Sequence, residues 1–234
     1  MTILTLKIDG RDVAGAEGRS ILAVAQENGI RIPTLCHLDG LTDVGACRLC
    51  MVQVTGTPRL LPACVTAIEE GMEVQTTSET LLSYRRQILE LFFTERNHVC
   101  AVCVANRNCE LQSLAAEHGV THFDLPLLHP VAEVDASHER FVMDHNRCIL
   151  CTRCVRVCAE IEGAHTWDIR GRGSGARLIA DLGVPWGESD TCTSCGKCVR
   201  VCPTGALSVK GRSVAESKRT RPYIPFLVEH GRQR

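Results

Sequence analysis

Apolar Leu4, Leu6 and Ile8 alternate with polar Thr5 and Lys7 before Asp9-Gly10, a pattern that predicts a β-strand followed by a hairpin turn. Ser20 can cap a short helix that ends at Asn28-Gly29, because glycine suits a left-handed C-terminal cap. A further strand is predicted at Leu49–Val54. This order of elements predicts a small α+β domain over residues 1–77.

After residue 77 the apolar residues recur with the period of an α-helix. Thr76–Glu79 has the spacing of a capping box, and apolar residues then recur at helical intervals as far as Phe93. The pattern predicts an amphipathic helix to about Glu95 whose apolar stripe packs in a core. Together with the cysteines that follow, this helix defines a small helical domain over residues 78–118.

Beyond residue 118 the hydrophobic period is lost. Residues 119–140 contain prolines and histidines, and we expect a connector that wraps the surface. Residues 141–210 are dominated by eight cysteines and predict a further cysteine-organised domain, and residues 211–234 form a locally basic tail. We expect a solvated or partner-docking tail, since no nucleic-acid-binding fold accompanies it.

The cysteine content changes the interpretation of this pattern. The 234 residues include 15 cysteines, and an odd number fits a disulfide framework poorly. The N-terminal residues contain no secretory signal, so we expect a reducing cytoplasm, where clustered thiols bind metal. The formal net charge of -1 predicts no nucleic-acid partner. The lack of an apolar run of about 18 residues predicts no membrane span.

The first cysteine group consists of Cys36, the pair Cys47-x2-Cys50, and Cys64. Four thiolates can ligate one zinc ion or the two irons of a [2Fe-2S] cluster. Zinc ribbons usually contain two C-x2-C pairs, whereas one pair flanked by two single cysteines follows the plant-type ferredoxin arrangement. The first gap is ten residues long here, in place of four. We therefore predict a [2Fe-2S] cluster.

The second group, Cys100, Cys103 and Cys109, is one ligand short of a [4Fe-4S] cluster. His98 is the nearest candidate for the fourth ligand. A neutral imidazole in place of a thiolate should raise the reduction potential of the cluster, as in Rieske centres. His118 or a ligand from outside the protein are the alternatives.

Two further groups repeat the bacterial ferredoxin sequence C-x2-C-x2-C-x3-C, in which the fourth cysteine ligates the other cluster. The pattern predicts two [4Fe-4S] clusters, held by Cys148, Cys151, Cys154 and Cys202, and by Cys158, Cys192, Cys195 and Cys198. One [2Fe-2S] and three [4Fe-4S] clusters then use all 15 cysteines, and a histidine fills the sixteenth ligand position. Iron is the only metal predicted.

The sequence Gly171–Ala176 formally fits the dinucleotide-binding pattern G-x-G-x-x-A. The 33 residues between Cys158 and Cys192 are too few for a dinucleotide-binding domain, so we expect a glycine hairpin instead. We predict no flavin or nucleotide on this chain.

The order of the four groups resembles the N-terminal half of the large iron–sulfur subunit of respiratory NADH dehydrogenase and the accessory domains of iron-only hydrogenases. The sequences Glu95–Cys100, Ala164–Asp168 and Cys192–Cys198 are more closely similar to the small diaphorase subunit of soluble NAD-reducing nickel–iron hydrogenases. The resemblance covers essentially the whole chain. Those relatives generally place the ligating histidine four residues before the first cysteine, where this chain has Arg96.

The resemblance implies an α+β chain with an N-terminal β-grasp [2Fe-2S] ferredoxin-like domain, a small helical His/Cys3 domain and a bacterial-type two-[4Fe-4S] ferredoxin domain. It also implies partners, namely a flavin- and NAD-binding diaphorase subunit and the small and large subunits of a nickel–iron hydrogenase. The chain would conduct electrons between them without a catalytic site of its own.

Two alternatives remain at this point. One is an iron–sulfur subunit of an NAD-linked formate dehydrogenase or of a complex like NADH dehydrogenase. The other belongs to a different class, a zinc-organised scaffold without redox function.

Overall fold

The alternating N-terminal residues form an antiparallel hairpin of β1 (Ile3–Ile8) and β2 (Arg11–Ala16). A computed structural model describes residues 2–128 and 130–217 of the chain. Its contacts divide into two units. Unit 1 comprises the residues up to His37 together with Asp43–Ile88, and unit 2 comprises Leu38–Thr42 together with the described residues from Leu89 onward.

Unit 1 is built on a five-stranded mixed sheet. The hairpin is joined by β3 (Met51–Val54), β4 (Leu61–Pro62) and β5 (Glu73–Gln75) in the order β2-β1-β5-β3-β4. Strand β5 runs parallel to β1, and the other pairs are antiparallel. With one helix between the hairpin and the later strands, this is the β-grasp arrangement that was predicted.

Helix α1 (Ile21–Glu27) begins as predicted, because the Ser20 hydroxyl accepts a hydrogen bond from the Ala23 N–H at 3.2 Å. It buries its apolar side against the sheet in a core that includes Ile8, Val24 and Val52. The predicted strand at Leu49–Val54 is shorter by two residues at its start.

Helix α2 (Glu79–Glu95) follows the predicted amphipathic pattern and buries Leu81, Leu89 and Phe93. The capping prediction was wrong by two residues. The hydroxyl that accepts from the helix is that of Ser78, which receives the Leu81 N–H at 3.2 Å. Thr76 instead donates its backbone N–H to Asp9 at 2.7 Å.

Unit 2 contains a three-stranded antiparallel sheet of order β10-β7-β6 and a separate hairpin. Its strands are β6 (Val134–Asp135), β7 (Phe141–Asp144), β8 (Trp167–Arg170), β9 (Arg177–Ala180) and β10 (Leu207–Val209). Strand β6 lies inside the stretch predicted as a connector. The glycine-rich sequence forms the turn between β8 and β9, as expected.

The helices of unit 2 are short and lie next to cysteines. They are α3 (Glu110–Glu117), α4 (Arg153–Arg156), which continues as a π-helix over Val157–Glu162, and α5 (Lys197–Val201). Single 3-10 turns occur at Cys100–Val102, His145–Arg147 and Trp186–Glu188. Much of the core consists of cysteine and aromatic side chains, among them Cys154, Cys198, Phe141 and Trp186.

The finer division into segments 1–77, 78–118, 119–140, 141–210 and 211–234 stays a prediction. Residues 218–234 of the basic tail lie outside the described residues. No helix in the described ranges is both long and apolar enough to cross a membrane.

Candidate cluster-binding sites

All fifteen cysteines are described, and none of them forms a disulfide. At the first site, Cys36, Cys47, Cys50 and Cys64 are buried together in unit 1. The Cys50 and Cys64 sulfurs are 3.4 Å apart. The Leu35 N–H donates to the Cys47 sulfur at 3.3 Å. The loop therefore buries the four thiols in one unit, with the sulfurs of Cys50 and Cys64 in contact.

Contacts among these thiols shift their pKa values in opposite directions. The contact with Cys47 lowers the pKa of Cys36, and the same contact together with burial raises the pKa of Cys47. The contacts of Cys64 with Cys36 and Cys50 raise the pKa of Cys64, and the contact with Cys64 lowers the pKa of Cys50. Thiols in such contact can bind iron with release of their protons.

A buried arginine supports this loop from helix α2. The Arg85 guanidinium donates to the carbonyl of Leu49 at 3.2 Å, to that of Met51 at 3.0 Å and to that of Thr76 at 2.8 Å. Sequence reasoning missed this residue. Its signal was present, because Arg85 lies midway between Leu81 and Leu89 at helical spacing in an otherwise apolar stripe.

Part of the long segment between Cys36 and Cys47 packs in unit 2. Its residues Leu38–Thr42 belong to that unit, where the Thr42 N–H donates to the Glu160 carboxylate at 2.8 Å. Arg156 donates to the Thr42 carbonyl at 2.6 Å, and Leu41 is buried in the unit 2 core. The additional residues relative to a plant-type loop thus make specific contacts.

At the second site, His98 lines one small cavity with Cys100, Cys103 and Cys109. The His98 Nε2 atom is buried and has no hydrogen-bond partner in the described part of the chain. Burial, followed by the charge of Arg147, lowers the pKa of His98 to about 4. The imidazole is therefore neutral at physiological pH, which is the form that binds a metal.

The surroundings of the second site fit a bound group. A Cβ atom added to Gly205 would lie 2.7 Å from the Cys103 sulfur, so only glycine allows this approach. The Phe93 ring holds the His98 ring edge-on at 5.4 Å. The alternative ligand His118 caps the end of α3 and is not among the residues that line the cavity.

At the third site, Cys148, Cys151 and Cys154 line a cavity together with Cys202, which follows helix α5 in the second ferredoxin sequence. The fold therefore brings the fourth cysteine of one sequence to the first three of the other. Burial raises the pKa of Cys148 to about 11 and that of Cys151 to about 12.

The fourth predicted site consists of Cys158, Cys192, Cys195 and Cys198. Burial raises the pKa of Cys198, and the nearby charges of Cys195, Cys158 and Cys192 act in the same direction. Cys158 and Cys198 are buried, whereas Cys195 is exposed. The Trp186 indole N–H donates to the Cys192 sulfur at 3.2 Å, a contact that sequence reasoning did not foresee.

The two ferredoxin sequences share an unusual backbone. Leu150 and Thr152 have φ angles of 52° and 59°, and Ser194 and Gly196, at the same offsets in the second sequence, have 55° and 72°. Residues other than glycine rarely adopt positive φ angles, because this conformation costs free energy. Its repetition at matched positions indicates that the two loops have the same geometry and enclose similar groups.

The second and third sites are neighbours. Thr204 lines both cavities, and its hydroxyl donates to the Arg147 carbonyl at 2.7 Å. The buried Arg153, which lies between two cysteines of the third site, donates to Glu110 of α3 at 2.9 Å. Helices α3 and α4 are thereby held together around the two cavities.

Three protein families match successive parts of the chain. Residues 2–79 match the 2Fe-2S iron-sulfur cluster binding domain, residues 85–123 match the NADH-ubiquinone oxidoreductase-G iron-sulfur binding region, and residues 147–206 match the 4Fe-4S dicluster domain. These matches favour iron–sulfur clusters over the zinc-organised scaffold.

Curated relatives agree with this assignment. The chain is 31% identical to the NAD-reducing hydrogenase HoxS subunit gamma of Cupriavidus necator, over 88% of this chain and 87% of that protein. It is 35% identical to the NADP-reducing hydrogenase subunit HndD of Solidesulfovibrio fructosivorans and 36% identical to the NADPH-Fe(3+) oxidoreductase subunit alpha of Geobacter sulfurreducens, over 88% and 89% of this chain. It spans only 36% and 24% of those two longer proteins.

A solved structure agrees as well. One chain of the NAD+-reducing [NiFe]-hydrogenase in the H2-reduced state superposes with a TM-score of 0.85 at 35% sequence identity, over 90% of this chain and 89% of that one.

Proposed function

Because this chain belongs to the family of the NAD-reducing hydrogenase HoxS subunit gamma, we propose that it conducts electrons inside an NAD-reducing hydrogenase complex. The observation that carries the proposal is the set of four groups in the sequence, fifteen cysteines and one histidine, of which the first lies buried together and the second and third each line one cavity. The chain would act as a subunit of a hydrogen:NAD oxidoreductase and leave the catalysis at either end to its partners.

The ligand sets belong to the same proposal. Cys36, Cys47, Cys50 and Cys64 would hold one [2Fe-2S] cluster, and His98 would complete a [4Fe-4S] site with Cys100, Cys103 and Cys109. The two remaining [4Fe-4S] clusters would be shared across the ferredoxin sequences through Cys202 and Cys158. When bound, such clusters supply one-electron steps that connect two-electron reactions at either end.

Within unit 2, every cysteine of these sites except Cys195 is buried or partly buried. Thr204 lines both the second and the third cavity, and Gly205 lines the second. Cys195 is exposed, and it gives the fourth site access to the surface. An exposed site in the same unit as buried ones suits electron transfer between proteins.

The proposed partners are a flavin- and NAD-binding diaphorase subunit and the small and large subunits of a nickel–iron hydrogenase, all in the cytoplasm. Purification of the native complex through a tag on this chain tests the proposal. We expect hydrogen-dependent NAD reduction by the purified complex. Formate-dependent NAD reduction with bound molybdenum would contradict it and support the formate dehydrogenase alternative.

Iron analysis tests the ligand sets separately. Four clusters of the proposed types require about 14 iron atoms per chain, with matching acid-labile sulfide and reducible paramagnetic signals at low temperature. Stoichiometric zinc without such signals would overturn the iron–sulfur assignment.

A further inference from the structure

Both tryptophans of the chain lie at the fourth site. The Trp186 Nε1 atom donates to the Cys192 sulfur at 3.2 Å, and the Trp186 side chain is only 1% exposed. Trp167, which is also buried, packs edge-on against the Trp186 ring. Cys192, one of the four proposed ligands of this site, therefore receives an indole N–H.

The packing holds these indoles in place. The rings of Trp167 and Trp186 meet edge-on at 4.7 Å, and Phe141 stacks on Trp186 at 5.4 Å. The Trp186 backbone N–H is itself fixed by the Asp135 carboxylate at 2.6 Å. An indole fixed on this many sides cannot turn its N–H away from the sulfur without disturbing the core.

The third site has a different environment. Its cavity is lined by apolar side chains such as Met143, Ile149 and Leu178, and the described lining contains no indole. The two ferredoxin sites thus share their cysteine spacing and loop backbone but differ in hydrogen bonding to sulfur. They also differ in exposure, because Cys195 of the fourth site reaches solvent.

We propose that Trp186 raises the reduction potential of the cluster at Cys158, Cys192, Cys195 and Cys198 above that of its neighbour in the third site. This inference rests on the proposed function, which places a [4Fe-4S] cluster there. Reduction adds one electron to the site, supplied in a titration by a low-potential chemical reductant. No bond forms or breaks, and the indole proton stays on nitrogen.

The physical reason is electrostatic. The added electron increases the negative charge on the cysteine sulfurs, and an N–H donor stabilises that charge more in the reduced than in the oxidised form. Hydrogen bonds to ligating sulfur and solvent exposure are both established determinants of cluster potential. The structure supplies both at the fourth site.

The test uses the full chain loaded with iron and sulfide, with potentials measured by redox titration under low-temperature electron paramagnetic resonance. We expect Trp186→Phe, which removes the indole N–H, to shift the signal of one [4Fe-4S] cluster to a more negative potential. Cys195→Ser, which changes an exposed ligand of the same site, identifies the signal that belongs to it.

Phe141→Leu is the packing control, because Phe141 packs against Trp186 but has no N–H group. Since this variant retains the indole N–H, it should shift the potential of that signal less than Trp186→Phe does. A titration in which Trp186→Phe keeps the signal at its original potential, or shifts it no more than Phe141→Leu does, would overturn the inference. An unmodified chain without any [4Fe-4S] signal would instead overturn the proposed function.

A second measurement avoids any change of packing. Because the chain has only two tryptophans, global replacement by 5-fluorotryptophan alters this site alone. The fluorine makes the indole N–H a stronger donor, so the same signal should move to a more positive potential. No movement, or movement of another cluster's signal, would contradict the inference.

Discussion

At the scale of single residues, the buried His98 Nε2 atom has no hydrogen-bond partner among the residues that the structure describes. Leaving a buried polar atom without a partner costs about 1–3 kcal/mol, so a folded protein rarely does so without a reason. Here the Nε2 atom lines a cavity with three cysteines, and a bound metal centre would remove that cost.

Replacing His98 tests this directly. His98→Ala should abolish one [4Fe-4S] signal and leave the other clusters in place. His98→Cys should retain the cluster at a more negative potential, because a thiolate adds charge that an imidazole lacks. Electron paramagnetic resonance of the reduced chain checks both, with the exposed His122→Ala as the control. An unaltered spectrum in His98→Ala would place the fourth ligand elsewhere.

Gly205 is the second residue whose identity matters at this site. In Gly205→Ala the new methyl group would meet the Cys103 sulfur at 2.7 Å, so the cysteine must move and the iron content should fall by about one cluster. Gly175→Ala is the control, since a Cβ atom there meets nothing within 4 Å. Equal iron in the two variants would show that the site tolerates the shift.

His138 predicts a dependence of stability on pH. Its Nδ1 atom accepts the backbone N–H groups of Arg140 at 3.0 Å and Phe141 at 3.3 Å, so the proton is on Nε2, which donates to the Ser194 hydroxyl. Burial, then the charges of Arg140 and Lys210, lower the pKa of His138 below 6.5, although Glu139 and Asp135 partly oppose this.

A group whose pKa is lowered by folding stabilises the protein above its unfolded pKa, and this contribution is lost as the pH falls towards the folded value. The free energy of unfolding should therefore decrease as the pH falls below about 6.5. Denaturant titrations of the chain and of His138→Gln at pH values above and below this point provide the measurement. The variant should lose less stability, and identical slopes in the two proteins would exclude His138 as the cause.

At the scale of elements, helix α2 acts through one buried cation. Arg85 satisfies the carbonyls of Leu49 and Met51 on either side of Cys50, so it fixes the loop that carries the first site. Helices α4 and α5 position the cysteines of the ferredoxin sites. Each helix carries the third cysteine of its sequence, Cys154 or Cys198, and leads towards the fourth.

Arg85→Met should therefore destabilise unit 1. The substitution keeps the apolar stem but leaves carbonyl groups without donors, at a cost of about 1–3 kcal/mol each. We expect a lower Tm and a reduced [2Fe-2S] signal in the circular dichroism of the chain in the visible range. The neighbouring, exposed Arg86→Met is the control, and a matching Tm for both variants would contradict the assignment.

The same elements show what sequence can predict. Cysteine spacing predicted that the fourth cysteines cross between the ferredoxin sequences, and Cys202 does line the cavity of Cys148, Cys151 and Cys154. Spacing, capping residues and periodicity are local features of the sequence, and the last two also located α1 and α2. The contacts of Arg85 with Leu49 and Met51, and of Thr42 with Arg156, join residues 36, 34 and 114 positions apart. They depend on tertiary packing, which no local pattern specifies.

At the scale of the whole molecule, the two units depend on cysteine to different degrees. The core of unit 1 is mainly aliphatic and includes Cys50 and Cys64, whereas the core of unit 2 includes four buried cysteines, Cys154, Cys158, Cys198 and Cys202. Small domains with such cores obtain part of their folding free energy from the metal.

Removal of iron should consequently affect unit 2 first. Treatment with a chelator under oxidising conditions should lower protection from hydrogen exchange in α4, α5 and β10 while the strands of unit 1 keep more of theirs. Mass spectrometry of deuterium uptake resolves the two units, and the untreated chain is the reference. Uniform loss of protection in both units would show that their stabilities are coupled.

The exchange of the fourth cysteines between the ferredoxin sequences also bears on biosynthesis. On a growing polypeptide, Cys148, Cys151 and Cys154 emerge from the ribosome well before Cys202, and Cys158 emerges well before Cys192. The fourth site cannot gain its full ligand set until translation has passed Cys198, and the third site not until it has passed Cys202. Cluster insertion at both sites is thereby postponed until the second ferredoxin sequence has been made. A product truncated between the two sequences would carry two incomplete sites instead of one finished cluster.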